Sequence, residues 1–159
     1  MSTQQLLPYR LTLGALALAA VLTQIIFVPL GASSYAASYP EVAHLQVPYT
    51  VALIIGLVGL EVALVAGWLL LAATGDQAMT SALMRQGVNI ITAGLLFLLV
   101  VSGGVFFHAG SVENVGGPPM LFGLMLCLVL VPGVWVARRR FLATWDVARH
   151  SNAQGYASA

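Results

Sequence analysis

The chain has 159 residues, 60% of them hydrophobic and only 7% charged, with a formal net charge of +1. Soluble domains carry about 25% charged residues, so this composition cannot cover a water-soluble surface, and the length predicts one domain. The single cysteine, Cys127, excludes an internal disulfide and any CxxC redox or zinc motif.

Four apolar segments follow in chain order. The first covers about 11–30 and is interrupted by Gln24. Arg10, this stretch and the small residues from Gly31 to Ser34 could also be read as a cleavable signal. However, signal cores run to about 7–15 residues, and this one is longer. The second segment, about 48–73, is interrupted by Glu61, and Pro48 suits its first turn. The third covers about 88–107. The fourth covers about 120–137, opened by Pro118 and Pro119 and containing Pro132 near its end. About 20 apolar residues cross the hydrocarbon layer as a helix. Helix is expected because hydrocarbon offers the backbone no other hydrogen-bond partner.

All six basic residues are arginines: Arg10, Arg85, Arg138, Arg139, Arg140 and Arg149. With the N-terminus inside, all of them fall on the inner side, together with Asp76 and Asp146. The outer loops carry Glu41, His44, His108 and Glu113 and no arginine. Positive residues collect on the cytoplasmic side, so both termini are expected inside. Aromatic residues mark both boundaries: Phe27, Tyr35, Tyr39, Tyr49, Phe106, Phe107 and Phe122 outside, and Tyr9, Trp68, Trp135, Phe141 and Trp145 inside. The expected fold is an all-α, integral membrane four-helix bundle over residues 1–140 with short loops. Residues 141–159 are expected to form a cytoplasmic interfacial segment and a flexible tail from Ser151.

Helices in lipid approach closely through small residues. Gly59, Ala63 and Gly67 form such a stripe on segment two, with Ala52 and Gly56 beside it. Segment one offers Ala15 and Ala19, with Gly14, Ala17 and Ala20 nearby. Packing within the bundle accounts for both stripes without an oligomer seam.

Glu61 lies at mid-depth, where no Arg or His shares its level. An ionised acid at the bilayer centre costs about 2.5–3.5 kcal/mol on insertion scales. The expectation is a neutral acid hydrogen-bonded to Gln24, Ser102 or Thr92. Glu61 then reads as polar glue between helices, as a proton or cation site, or as a group awaiting a partner protein's cation. At the outer face, Glu41, His44, His108 and Glu113 are of types that ligate Zn or Cu, but no fixed ligand spacing is matched. Such residues more often simply solvate a loop, and they could also hydrogen-bond one another and lock the outer face.

Other chemistry is excluded more firmly. The histidines do not oppose one another within the helices as a haem would need. No phosphate loop, nucleophile elbow or HExxH motif occurs. The Arg138–Arg140 run follows a spanning helix, which points to lipid headgroups rather than nucleic acid.

The stretch from Tyr39 through Pro40, Glu41, Val42, Ala43, His44, Leu45, Gln46, Val47 and Pro48 to Tyr49 leads straight into a span. It resembles the outer loop of the domain-of-unknown-function 2975 family of bacterial membrane proteins. Gln24 and Pro29 match that family's first helix, and Trp68 the end of its second. The resemblance is best over about 11–71, and the C-terminal half matches by hydropathy. Where the family often carries a Phe-Ser-Glu-Arg-like stretch, this chain has Met79, Thr80, Ser81 and Ala82. The resemblance implies four spans in a bacterial inner membrane and transfers no catalytic residue.

Three functions are compatible with these residues. The first is a non-enzymatic accessory or assembly subunit of a larger membrane complex, with lipid and other subunits as partners and no cofactor. The second is a small oligomeric proton-coupled transporter using Glu61. Small multidrug resistance transporters have a similar size, but they keep their glutamate in the first helix. The third is a membrane sensor component reading the outer face.

Overall fold

The computed structural model describes residues 3–75, 80–115 and 117–157, and the side chains of 6–74, 80–115 and 117–148. Asp76, Met79 and the side chains of Arg149 and His150 lie outside these residues. No strand occurs among the described residues. The elements are α1 (Thr3–Leu22), a π-helical turn (Thr23–Phe27), α2 (Val28–Ser38), a 3-10 segment (Pro40–Leu45), α3 (Gln46–Gly75), α4 (Ser81–Ser111) and α5 (Gly117–Ala157). Among the described residues, four stretches are long and apolar enough to cross a membrane: Leu6–Ser38, Pro40–Thr74, Ser81–Ser111 and Gly117–Ala148.

Each stretch outruns its apolar core. At 1.5 Å per residue a stretch of this length extends about 50 Å, against about 30 Å of hydrocarbon. The helical ladder does not stop where apolar residues stop, because it supplies its own hydrogen bonds in water as in lipid. α5 illustrates this. No Gly or Pro occurs from Val134 to Gln154, and the backbone stays helical through the arginine run to Ala157. The stretch after Arg140 is therefore continuous with the fourth span. Residues 151–157 are helical, where composition pointed to a flexible tail.

Local chemistry sets the other ends. Thr80 is extended (φ −102°, ψ 160°), and its hydroxyl accepts a hydrogen bond from the Leu83 N–H at 3.1 Å, capping α4. At the far end of α4, Asn114 takes the left-handed conformation (φ 55°), and the Val115 N–H reaches back to the Ala109 carbonyl at 2.9 Å. In the first span, Pro29 has no N–H to give the preceding turn. Just before it the ladder widens, with the Val28 N–H donating to the Thr23 carbonyl.

The spans pack in sequence, first on second, second on third and third on fourth. Among the described residues α1 and α2 make no close backbone approach to α5. The tightest seam joins α3 and α4. A Cβ on Gly59 would lie 2.5 Å from the Gly94 carbonyl oxygen, and a Cβ on Gly94 would fall on the Gly59 carbonyl oxygen. Ala63 is 5% exposed beside this crossing. Gly56 meets Val101, and Gly87 is enclosed by the Leu70 side chain. The predicted small stripe thus divides between neighbours. Gly59 and Ala63 face α4, whereas Gly67 lies next to Leu13 of α1 and Gly14 of α1 next to Trp68. Periodicity identifies a face but not its occupant, which is why the stripe reads as one surface in the sequence.

Arg10, Arg85 and Arg138 to Arg140 all lie at one end of this array, and Glu41, His44, His108 and Glu113 at the other. These are called the arginine end and the histidine end below.

Gly94→Ala should destabilise the protein by roughly 1–3 kcal/mol through overpacking. Gly104→Ala, where nothing lies within 4 Å of the added methyl, should leave stability unchanged or slightly raised. Thermal unfolding of the two purified variants in detergent measures the difference.

Candidate functional site

The histidine end is assembled by four pieces of chain. Val42 and Leu45, each 7% exposed, anchor the 3-10 segment and hold His44 at the surface. The first turn of α3 presents Tyr49, the last turns of α4 present His108, and Glu113 follows α4 in the loop, one residue before the Asn114 reversal. The Tyr49 hydroxyl lies 2.7 Å from His108 Nδ1. Glu113 stands between the two imidazoles, with Oε2 3.8 Å from His44 Nε2 and Oε1 4.0 Å from His108 Nδ1. These separations suit ion pairing when an imidazole is protonated, but they exceed a direct hydrogen bond. His44 and Glu113 side chains are 63% and 28% exposed, so each pair contributes at most about 1 kcal/mol.

Glu41 does not join this group. It lines a separate surface cavity with Tyr35, Tyr39, Asn114 and Pro118. Among the described residues no three His, Cys, Asp or Glu side chains are grouped to hold a metal ion. His44, Tyr49, His108 and Glu113 are arranged as a hydrogen-bond and ion-pair latch. Tyr49 is the member that sequence reasoning missed, because an aromatic at a membrane boundary needs no further explanation. Its position opposite His108 across the α3–α4 hairpin was the available signal. Beneath the latch lies an apolar cavity of about 310 Å³, lined by Phe27, Tyr35, Leu53, Phe106 and Met120 among others.

Glu61 lies where α1 packs on α3. Two contacts bracket it: Gly14 against Trp68 on the arginine side, and Gln24 Nε2 donating to the Ile54 carbonyl at 2.9 Å on the histidine side. Antiparallel register then sets Glu61 level with Ala19 and Ala20. Its Oε1 is buried and has no hydrogen-bond partner among the described residues. The expected partners are engaged elsewhere or placed elsewhere. Gln24 is held by Ile54, and the Thr92 hydroxyl donates to the Val88 carbonyl of its own helix at 2.7 Å. Thr92 and Ser102 belong to α4, which packs on the Gly59 and Ala63 side of α3, nearly opposite Glu61 by helical spacing. The expected hydrogen bond from Glu61 to one of these three groups is thus replaced by an unpaired carboxyl oxygen.

At the arginine end the charges are held differently from one another. Arg85 Nη2 meets Asp146 Oδ2 at 2.9 Å. Arg138 donates from Nε and Nη2 to Asn89 Oδ1 at 3.1 and 2.7 Å. The guanidinium carbons of Arg138 and Arg139 stand 5.2 and 5.6 Å from the Trp135 ring centre.

Tyr49→Phe should remove one hydrogen bond from the latch and lower stability by about 1 kcal/mol, with faster chemical modification of His108. Thermal unfolding and mass-spectrometric mapping of imidazole modification check the two effects.

No curated protein and no solved structure matches the chain. A family model does match, over residues 30–140. The matched region includes the loop from Tyr39 to Tyr49, Trp68 and the arginine run as far as Arg140. It extends through the C-terminal half, where the sequence resemblance rested on hydropathy alone, and it leaves out Gln24 and Pro29. The chain belongs to the DUF2975 family, described as a protein of unknown function.

Proposed function

We propose that the chain is a non-enzymatic, multi-pass protein of a bacterial plasma membrane, with both termini cytoplasmic, that serves as an accessory or assembly subunit of a larger membrane complex. The observation that carries this reading is the sequential packing of the spans, in which, among the described residues, the first makes no close backbone approach to the last. Without a close seam there, these spans keep helix faces that another membrane helix can complete by van der Waals packing. The connections between the spans are too short to hold a catalytic domain. The orientation is supported by the collection of the arginines at one end.

One observation favours a second reading. The buried, unpaired Oε1 of Glu61 is the kind of intramembrane group expected of a proton or cation carrier. No further acid or histidine continues a relay from it through the spans.

Gentle solubilisation of native membranes and affinity capture of the chain should return a stable set of other membrane proteins. Recovery of the chain alone or only with copies of itself would overturn the subunit reading. Glu61→Gln should leave assembly with those partners intact. If the variant instead abolished pH-dependent uptake by reconstituted liposomes, the carrier reading would replace it.

A further inference from the structure

We infer that the arginine end carries a binding site for an anionic phospholipid, with the phosphate at Arg138 and Arg139 and one acyl chain in the groove between α3, α4 and α5. This rests on the chain spanning a membrane, but not on which side the arginines face or on the subunit reading.

The first observation is the manner in which Arg138 is held. Its Nε and Nη2 converge on the side-chain oxygen of Asn89, and the Trp135 ring lies beside it. An amide oxygen fixes the guanidinium plane without cancelling its charge. Arg85 is the contrast, since the Asp146 carboxylate neutralises it. Neither Arg138 nor Arg139 has an ion-pair partner among the described residues, and both stand over the same ring. Two oriented, uncompensated cations therefore adjoin one another. A guanidinium has five N–H donors in a planar fork, and Asn89 engages only part of that set. The remainder suits the paired oxygens of a phosphate.

The second observation is what lies next to the charge. A groove of about 330 Å³ opens beside Arg138 and runs along Leu70, Val88, Leu95, Val134 and Phe141. Its lining is apolar except for Thr92 and Arg138, and the Thr92 hydroxyl is already bonded to the Val88 carbonyl. A free phosphate or nucleotide gains nothing from such a surface. A phospholipid uses both halves, because the guanidinium pair faces its headgroup and the groove takes a hydrocarbon chain. Basic pockets between spanning helices recognise anionic headgroups by this combination.

The test uses the full chain in nanodiscs of phosphatidylcholine with phosphatidylglycerol titrated in. Bound lipid is read by native mass spectrometry and stability by thermal unfolding. Phosphatidylglycerol should be retained in preference to phosphatidylcholine of the same chain length and should raise the melting temperature. Inorganic phosphate alone should do neither. Asn89→Asp keeps the acceptor on Arg138 but adds a neutralising carboxylate, so it should cut the preference about fivefold. Arg138→Gln should do the same, and Arg85→Gln should not. Val134→Trp, which fills the groove and leaves the arginines in place, should also lose the bound lipid. Equal retention of the two lipids overturns the inference, as does a preference unchanged in Asn89→Asp. Stabilisation by inorganic phosphate equal to that by lipid overturns it as well, by assigning the charge a role without the groove.

Discussion

The contact between Gly59 and Gly94 is the constraint on which the rest of the array depends. Backbone meets backbone there, closer than any side chain would permit. In hydrocarbon there is no solvent-driven reward for bringing helices together, so the attraction comes from many atoms at van der Waals distance. Two glycines let the ridges approach, and Ala63 fills the space beside them. This seam sets the α3–α4 hairpin, and the hairpin sets the rest. It aligns Tyr49 with His108 at one end and Leu70 with Gly87 toward the other. The outer spans are added one to each side, α1 through Gly14, Gln24 and Leu13, and α5 through Asn89, Arg85 and Cys127.

The polar side chains are used sparingly and for different ends. Gln24 reaches across to a backbone carbonyl, which suits an amide in a medium where an unmatched donor is costly. Thr92 satisfies itself within its own turn. Glu61 does neither, and local packing leaves its buried Oε1 unanswered, as it does Arg10 Nε and Trp145 Nε1 toward the arginine end. At the two ends, where water returns, ion pairs and hydrogen bonds join different helices: Arg85 to Asp146 and Arg138 to Asn89 at one, His44 and His108 to Glu113 at the other.

The four apolar runs and the segregation of arginine were legible in the chain, because length and charge act one segment at a time. Helix ends were less legible, since the ladder continues past the hydrocarbon until a Gly, a Pro or a cap such as Thr80 intervenes. The identity of neighbours was the least legible, apart from the grouping of His44, His108 and Glu113 at one end. Gly59 and Gly67 share a stripe yet face different helices, and Glu41 and His44 are close in sequence, yet Glu41 lines a cavity beside Pro118 whereas His44 pairs with Glu113. Such assignments depend on how the spans are ordered in space, which a periodicity does not encode. The uncompensated state of Arg138 was hidden for the same reason, because its partner lies on another helix.

The widened turn at Thr23–Phe27 has a consequence for how the first span tolerates change in length. A π-turn contains one residue more than an α-helical ladder needs, and each residue in a helix advances the direction of the next by about 100°. A relative lacking one residue there could thread the same bilayer as an unbroken cylinder. Its last turns would nevertheless face a different azimuth, swinging Val28 and Tyr35 away from the hollow they now border. The bulge thus works as a rotational spacer between the half of the span that holds Gly14 against Trp68 and the half that roofs the apolar chamber.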